Sequence, residues 1–254
     1  MRTAAFDYSY HYGALTDIGK KRNSNQDEVI LCPEFNFFAV SDGMGGLRYG
    51  GETADYVKKA MPVLLEACFS EDLWRAGADF ASEKLLDSVK LLSDQLFLQA
   101  NPPNYFQYGA TLTGVFLLGG KAIFVSLGDS RGYKLPRHKR NPVQITEDMN
   151  MAGILVRNGE MTKKEAVESE ASSRLTAFVG MPSPATPEAY IVDVKPGDRL
   201  LLCSDGLYGM VPERELAQLM RSSKSPDKVC RRMIERANQN GGRDNISAVY
   251  IRIT

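Results

Sequence analysis

The sequence is poor in the residues that bind zinc. It has two histidines and four cysteines among 254 residues, and no two cysteines form a C-x-x-C pair. Zinc sites are built from closely spaced cysteines and histidines, so the sequence gives no indication of one. Scattered cysteines in a chain of this length are typical of reduced thiols in the cytosol, and we expect a cytoplasmic protein.

An excess of one charge and long apolar runs are also missing. Lys plus Arg and Asp plus Glu both number 31, so the formal net charge is zero. Proteins that bind nucleic acid or anionic membranes usually carry a basic excess, and we expect neither partner here. No apolar run approaches the roughly 20 residues of a membrane span. Residues 1–8 lack the apolar core of a signal peptide.

Apolar residues alternate or form short runs in several segments, which predicts β-strands there. The predicted strands lie near residues 10–16, 28–31, 36–41, 110–118, 121–127, 130–135, 188–194, 199–203 and 245–253. Helices are predicted at about residues 50–69, 73–99, 212–221 and 226–240. Strands that cluster, then helices, then strands favour a mainly antiparallel α+β fold with helices covering sheets.

Residues 148–174 interrupt the strand pattern with a polar, helix-prone stretch rich in Glu and Lys. By itself such a stretch is typical of a solvated surface hairpin, and the alternative is a flap beside a functional site. No repeat and no low-complexity linker divides the rest of the chain. We therefore predict a single domain over 1–254 with an insertion at about 148–174.

Aspartate stands beside glycine or asparagine at the ends of several predicted strands. Asp42-Gly43, Asp129 and Asp205-Gly206 follow apolar strands, and Asp244-Asn245 precedes the last one. One Asp-Gly pair alone is better explained as a turn, but several at strand ends favour a shared site. Carboxylate and carbonyl oxygens suit Mg²⁺ or Mn²⁺, and two such ions promote in-line attack on phosphorus.

Two further residues can serve such a site from a single segment. Arg22 closes the basic triplet 20–22, which alone suggests a solvated face, but arginine also binds phosphate bidentately. Asp27 supplies a fifth carboxylate shortly after it. Neither His11 nor His138 lies in a motif, which argues against the metal-dependent phosphatases that use histidine ligands.

Two motif matches point to other chemistries but lack the right context. A dinucleotide-binding fingerprint starting at Gly43 needs glycine at position 48, where this chain has Arg48. Cys230 and Arg236 match the C-x₅-R pattern of cysteine-based phosphatases. The residues between them include no glycine and favour a helix. We therefore interpret Cys230 as part of a buried helix face and not as a nucleophile.

In their order along the chain, these strings closely resemble the PP2C-like (PPM) family of metal-dependent protein serine/threonine phosphatases, in its bacterial form. The resemblance is carried by Thr16-Asp17-Ile18-Gly19, Arg22-x-x-Asn25-Gln26-Asp27, Asp42-Gly43-Met44-Gly45-Gly46, Gly109-Ala110-Thr111, Gly128-Asp129-Ser130-Arg131, Thr146-Glu147-Asp148, Pro196-Gly197-Asp198, Ser204-Asp205-Gly206-Leu207 and Gly242-x-Asp244-Asn245. It implies a four-layer αββα sandwich, in which two antiparallel sheets are flanked by helices and metals lie in a cleft at one end of the sheets.

The resemblance also implies a metal-ligand set. Asp42 would bridge two Mn²⁺ or Mg²⁺ ions, and the carbonyl of Gly43 would bind the second of them. Asp205 and Asp244 would hold the first ion. Asp27 would act on the second ion through its water shell.

Further roles follow from the same resemblance. Asp129, with Asp205, would form a weaker third metal site, and Arg22 would bind the phosphate. A metal-bridging hydroxide would attack phosphorus directly, without a phosphoenzyme. Residues 148–174 would be the family's flap. We expect a monomer whose partners are phosphorylated proteins, the substrates of a serine/threonine kinase.

The chain departs from the family pattern at two places. Met44 stands where animal members have a histidine proposed as the general acid, and a thioether cannot protonate a leaving alkoxide. The proton must then come from another group, such as a metal-bound water. Asp148-Met149-Asn150 replaces the family's Asp-His-Ser, which leaves flap chemistry and substrate preference open.

Two alternative functions use the same fold. One is a catalytically weak or dead binding module, and the other is a small-molecule phosphatase. Inactive relatives usually lose one of the metal-binding carboxylates, whereas all of them are present here. Hydrolysis of phosphoserine and phosphothreonine is therefore the favoured reading.

Overall fold

Two antiparallel sheets of five strands dominate the computed structural model, which describes residues 6–44, 49–68, 77–100, 108–182 and 184–254. The strands are β1 (Tyr10–Asp17), β2 (Asp27–Cys32), β3 (Phe37–Asp42), β4 (Leu112–Leu118), β5 (Lys121–Leu127), β6 (Arg131–Leu135), β7 (Val143–Gln144), β8 (Glu188–Asp193), β9 (Arg199–Cys203) and β10 (Ile246–Ile253). The first sheet has the order β1-β10-β9-β6-β7 and the second has the order β2-β3-β4-β5-β8.

Seven α-helices are present in the described residues. They are α1 (Gly50–Cys68), α2 (Ala78–Ala100), α3 (Met151–Arg157), α4 (Lys163–Glu168), α5 (Asp205–Tyr208), α6 (Glu213–Met220) and α7 (Pro226–Gln239), with short 3₁₀ turns at Pro33–Phe35 and Glu170–Ser173. The pair α1 and α2 covers the second sheet, and α6 and α7 cover the first. No helix among the described residues is long and apolar enough to cross a membrane.

The alternation of side chains along the strands produces three apolar layers. On β3, Phe37 and Ala39 face the layer under α1 and α2, while Phe38 and Val40 face the layer between the sheets. All four side chains are fully buried because β3 is covered on both faces. This arrangement confirms the predicted four-layer αββα sandwich.

Most of the predicted elements are confirmed, with local differences. Leu85, Val89, Leu92 and Leu96 are buried on α2, as their spacing predicts. The helix expected from Pro212 begins one residue later, at Glu213, and Ser225 precedes α7 without making a side-chain capping hydrogen bond. The strand β7 was not predicted, because two residues carry no usable pattern. Two predicted helix limits, the end at residue 69 and the start at residue 73, lie outside the described residues. So do Gly45, Gly46 and Arg48 of the sequence motifs.

Cys230 lies on the buried face of α7, as the sequence predicted. Its neighbours on that face include Val229, Met233 and Ile234. The thiol donates a hydrogen bond to the backbone oxygen of Gly13 over 3.2 Å, and burial raises its pKa to about 12. A thiol that stays protonated at neutral pH is a poor nucleophile, so the cysteine-phosphatase interpretation is not supported.

The contact between β1 and α7 depends on the absence of a side chain at Gly13. A methyl group there would lie 2.6 Å from the backbone nitrogen of Asp227. Backbone cannot rotate away as a side-chain tip can, so Gly13→Ala should force α7 off β1. We expect urea denaturation to show a loss of about 1–3 kcal/mol in unfolding free energy.

The matched control is Gly51→Ala on α1, where the nearest atom to an added methyl group is 3.5 Å away. This change should leave stability unaltered or raise it by up to about 1 kcal/mol, because alanine favours helix. Equal stability of the two variants would contradict the close packing of α7 on β1.

Candidate metal centre

A cavity of about 460 Å³ opens where the ends of both sheets meet. Its lining includes four aspartates and one arginine, together with polar and apolar side chains from several segments. The lining residues are Arg22, Gln26, Asp42, Gly43, Met44, Thr111, Asp129, Ser172, Ser173, Leu175, Asp205 and Asp244. Of the seven sequence-predicted site residues, six therefore surround one space, and Asp27 lies outside its lining.

The aspartates converge because each ends or precedes a strand at the same edge of the sandwich. Asp42 is the last residue of β3, Asp129 follows β5, Asp205 follows β9, and Asp244 precedes β10. The turns that carry Asp205 and Asp244 approach each other very closely. A side chain on Gly206 would meet the Asn245 backbone oxygen at 1.9 Å, so glycine is required there.

Thr111 fixes the backbone at Asp42. Its hydroxyl accepts a hydrogen bond from the Asp42 N–H over 3.0 Å, and its own N–H donates to the Asp42 carbonyl over 2.8 Å. The same hydroxyl is 2.7 Å from the hydroxyl of Ser130. Thr111 and Ser130 thus hold the backbone at Asp42 in place, and neither of them carries charge.

Burial and mutual repulsion disfavour the ionised form of these carboxylates. Burial raises the pKa of Asp42 well above its ordinary value, and repulsion from Asp27 raises it further. Burial followed by repulsion from Asp205 does the same for the pKa of Asp129. For Asp205 the pKa rises through burial and then through repulsion from Asp244. Such a cluster is costly unless positive charge neutralises it.

The donor set fits hard divalent cations. The Oδ1 atoms of Asp27 and Asp205 are buried and have no hydrogen-bond partner among the described residues, and buried acceptors without partners are unfavourable. Carboxylate oxygens dominate the lining, which suits Mg²⁺ or Mn²⁺ and not a soft metal. As the side chains stand, no group of three or more Asp, Glu, His or Cys residues among the described residues is arranged to coordinate one metal ion. Backbone carbonyls, water and small side-chain movements must therefore complete any ion's coordination.

Arg22 occupies the rim of the cavity and is bound to Asp244. Its Nη2 atom lies 2.6 Å from Asp244 Oδ2, and this hydrogen bond is the main reason that the pKa of Arg22 is raised. Both side chains remain partly exposed, at 42% and 32%. Ion pairs at such exposure contribute little stability, so the guanidinium can exchange Asp244 for another anion at small cost.

Asp27 lies behind the cavity and supports it. It pairs with Asp42 across β2 and β3, and its Oδ2 atom accepts a hydrogen bond from the Ser204 hydroxyl over 2.7 Å. Burial raises the pKa of Asp27, an effect that the hydrogen bond from Ser204 opposes. Its contact with the residue just before Asp205 joins the two sheets beneath the site.

Asn245 holds together segments that the sequence pattern could not relate. Its side-chain amide donates to the backbone oxygens of Ile18 and Ser24, at 2.9 Å each. Its side-chain oxygen accepts from the Gln26 N–H, also at 2.9 Å. The sequence marked Asn245 as part of a motif but assigned it no role. The structure shows that it anchors the segment carrying Arg22 beside Asp244.

The 148–174 segment folds over the cavity. It contains α3 and α4, and its Ser172 and Ser173 line the cavity wall. Asn150 caps α3 by accepting from the Gly153 N–H over 2.8 Å, and its amide donates to Asp129 Oδ2 over 3.0 Å. These contacts favour a flap beside the site over a solvated surface hairpin.

Sequence reasoning missed several of the lining residues. Thr111 and Gln26 belong to strings that carried the resemblance, but the sequence did not indicate that they line the cavity. Ser172, Ser173 and Leu175 had no signal, because they come from a polar segment without a strand or helix period.

Comparisons with known proteins agree with this architecture. The protein phosphatase 2C family model matches residues 20–249. The serine/threonine phosphatase stp of Listeria monocytogenes is 28% identical over 245 residues, which cover 95% of each chain. The serine/threonine protein phosphatase PstP of Mycobacterium tuberculosis is 30% identical over 240 residues, which cover 94% of this chain and 44% of that protein.

Solved structures are similar over almost the whole chain. The PPM Ser-Thr phosphatase MsPP from Mycobacterium smegmatis, in complex with cacodylate, gives a TM-score of 0.81 at 30% identity, covering 96% of this chain and 98% of that one. The catalytic domain of PstP, in complex with two manganese ions, gives 0.77 at 27% identity with coverages of 96% and 98%. The family model, the fold and the acidic cavity agree, and this chain belongs to the protein phosphatase 2C family.

Proposed function

We propose that this chain hydrolyses phosphoserine and phosphothreonine in proteins with the help of divalent metal ions. The observation that carries the proposal is the set of buried, mutually repelling aspartates that faces a cavity with an arginine at its rim. The similar MsPP, solved with cacodylate, and the similar catalytic domain of PstP, solved with manganese ions, support the same chemistry. The cytoplasm remains the proposed location, and phosphorylated proteins, the substrates of a kinase, remain the proposed partners.

Each carboxylate has a defined part in this proposal. Asp42, with the Gly43 carbonyl, and Asp205 with Asp244 would hold two Mn²⁺ or Mg²⁺ ions, and Asp129 would serve a weaker third site. Bound there, the ions supply positive charge that acidifies water and stabilises the phosphoryl oxygens. The high cost of burying the carboxylates without partners would favour metal binding over an empty, ionised site.

Arg22 would bind the substrate's phosphate by leaving Asp244. The exchange replaces one guanidinium–carboxylate pair with a bidentate guanidinium–phosphate pair, so few hydrogen bonds are lost. It also frees Asp244 Oδ2 for a cation, while Oδ1 accepts a hydrogen bond from the Asn245 N–H over 2.8 Å. Binding of phosphate and completion of the metal site would therefore support each other.

Met44 lines the cavity but cannot donate a proton to a leaving alkoxide. Neither histidine of the chain lies in the lining, since His11 is on β1 and His138 is on the loop after β6. We propose that solvent supplies this proton. Substrates with acidic leaving groups, such as p-nitrophenyl phosphate, should then react faster than alkyl phosphates.

Removing the metal should abolish hydrolysis and destabilise the fold. We expect EDTA-treated protein to lose turnover of a phosphothreonine peptide and to regain it with Mn²⁺, because the carboxylates need a cation to stay ionised together. Its melting temperature should rise on Mn²⁺ addition, with a larger gain at about pH 8 than at about pH 6. Burial and mutual repulsion raise the pKa of Asp42, Asp129 and Asp205, so more protons are bound to the metal-free fold at pH 6 than at pH 8, and metal binding must displace them. Full activity of metal-free protein would contradict the proposal.

Asp205→Asn should lower turnover by orders of magnitude, since it removes a charged ligand without removing volume. The fold should survive, because one repelling carboxylate is lost. Cys230→Ser serves as the control at a residue that the mechanism does not use, and its kcat should match the parent. The comparison requires circular dichroism of both variants beside steady-state kinetics. Normal kcat in Asp205→Asn would mean that the metal assignment is wrong.

Arg22→Ala should change two constants in opposite directions. KM for the phosphopeptide should rise with a smaller change in kcat, because arginine binds phosphate in both ground and transition states. The Mn²⁺ concentration for half-maximal activation should fall, because Asp244 no longer has a competing cation. Arg243→Ala, at an exposed neighbour, should alter neither constant. Loss of kcat at constant KM would recast Arg22 as a transition-state residue.

A further inference from the structure

A row of basic side chains crosses the first sheet at the end opposite the metal centre. Arg252, near the end of β10, stands directly across from Arg199, the first residue of β9. His11 on β1 pairs with Arg252 from the other side. Because β10 spans eight residues from the acidic turn at its start, this row lies about 25 Å from the metal centre.

A third arginine joins the row from the helical layer. Arg221 follows α6, and its pKa is lowered by burial and by repulsion from Arg199. Its guanidinium donates to the backbone oxygens of Lys139 and, over 3.3 Å, of Arg140. Arg221 thereby holds the exposed basic loop 137–140 beside the row. We call Arg199, Arg221 and Arg252 the arginine cluster.

Nothing in the described part of the chain neutralises the arginine cluster. None of its three members forms an ion pair with an acidic side chain of the described residues. The carboxylate next to Arg199 in sequence, Asp198, is bound by Lys134 at 3.1 Å. Like charges directly opposite on neighbouring strands destabilise a sheet, so the pairing of Arg199 with Arg252 has an energetic cost.

The cluster also has unused hydrogen-bonding capacity. The Nε atoms of Arg199 and Arg252 are buried and have no hydrogen-bond partner among the described residues. Unpaired buried donors are unfavourable, more so when they carry charge. An anion placed over the row would remove the repulsion, and it could accept hydrogen bonds from the guanidinium groups.

We propose that the arginine cluster binds an acidic polypeptide segment, as a docking surface separate from the metal centre. Guanidinium groups bind carboxylate and phosphate groups alike, so acidic and phosphorylated segments share the chemistry that this surface recognises. The proposal does not depend on the proposed function, since the cluster shares no residue with the metal centre.

The extent of the cluster favours a polypeptide over a larger polyanion. Its row crosses three neighbouring strands and spans about 10 Å, the length of a few extended residues. The chain has zero formal net charge, so acidic residues elsewhere in the chain balance the basic residues of this end. Nucleic acids and anionic membranes extend far beyond such a patch, and a chain without net positive charge gives them no overall attraction.

The test measures fluorescence anisotropy of a short labelled Asp/Glu-rich peptide, with a matched Asn/Gln peptide as the neutral control. A third peptide carries phosphoserines and is measured in EDTA, which separates phosphate from carboxylate recognition. The variants are Arg199→Gln combined with Arg252→Gln, and Arg221→Gln alone. Arg214→Gln, an exposed arginine of α6, is the matched control.

We expect the acidic peptide to bind the parent protein and Arg214→Gln equally, and to bind the double variant and Arg221→Gln at least about tenfold more weakly. The melting temperature of the double variant should not fall, because a like-charge pair is removed. Turnover of p-nitrophenyl phosphate should be the same in every variant. Absence of hydrolysis in the parent protein would overturn the proposed function and leave the binding result standing.

Three results would overturn the docking surface. In the first, the acidic peptides bind the parent no more tightly than the neutral peptide does. In the second, the parent and the double variant bind the acidic peptides with equal affinity. In the third, an RNA oligonucleotide or a phosphatidylserine vesicle binds more tightly than the acidic peptides. A lower melting temperature in the double variant would show that the arginines stabilise the fold, and it too would contradict the proposal.

Discussion

Repulsion among buried carboxylates is the constraint around which this molecule is arranged. Four strand ends bring aspartates to one edge of the sandwich, where burial raises the pKa of Asp42, Asp129 and Asp205. A fold that concentrates like charge in this way must obtain stability elsewhere. It does so in the three apolar layers, where β3 and β4 are buried on both faces. The burial of the apolar strands behind the acidic edge therefore offsets the destabilisation that the clustered carboxylates cause.

The site is held by hydrogen bonds that join distant segments, and Asn245 makes the most consequential set. It ties the loops before β2 to the turn before β10, so that Arg22 and Asp244 come together. Asp27 and Ser204 form a second link between the sheets. These polar contacts are satisfied within the protein, and they leave the carboxylates of the cavity as the groups that require an external partner.

Much of the fold and of the metal centre could be predicted from the sequence because it depends on short-range patterns of residues. Apolar alternation is a short-range property, and so is an Asp-Gly turn after a strand. All strands but β7, together with Asp42, Asp129, Asp205 and Asp244, were therefore found without a structure. The cavity contacts of Ser172 and Leu175, and the bond from Asn150 to Asp129, depend on how a polar segment packs in three dimensions. The withdrawn position of Asp27 was equally invisible, because it depends on a contact with Ser204, 177 residues further along the chain.

The place of β10 between β1 and β9 has a consequence for biosynthesis. Residues Tyr10 to Asp17 find their partner only when Ile246–Ile253 has been made, so the first sheet cannot close before β10 is present. Pairing over such a sequence separation gives a high contact order and slow folding. Asp244 and the strand after it are made after all the other carboxylates of the cavity. The nascent chain therefore lacks a complete acidic edge, and the chemistry that depends on it, until β10 has been made.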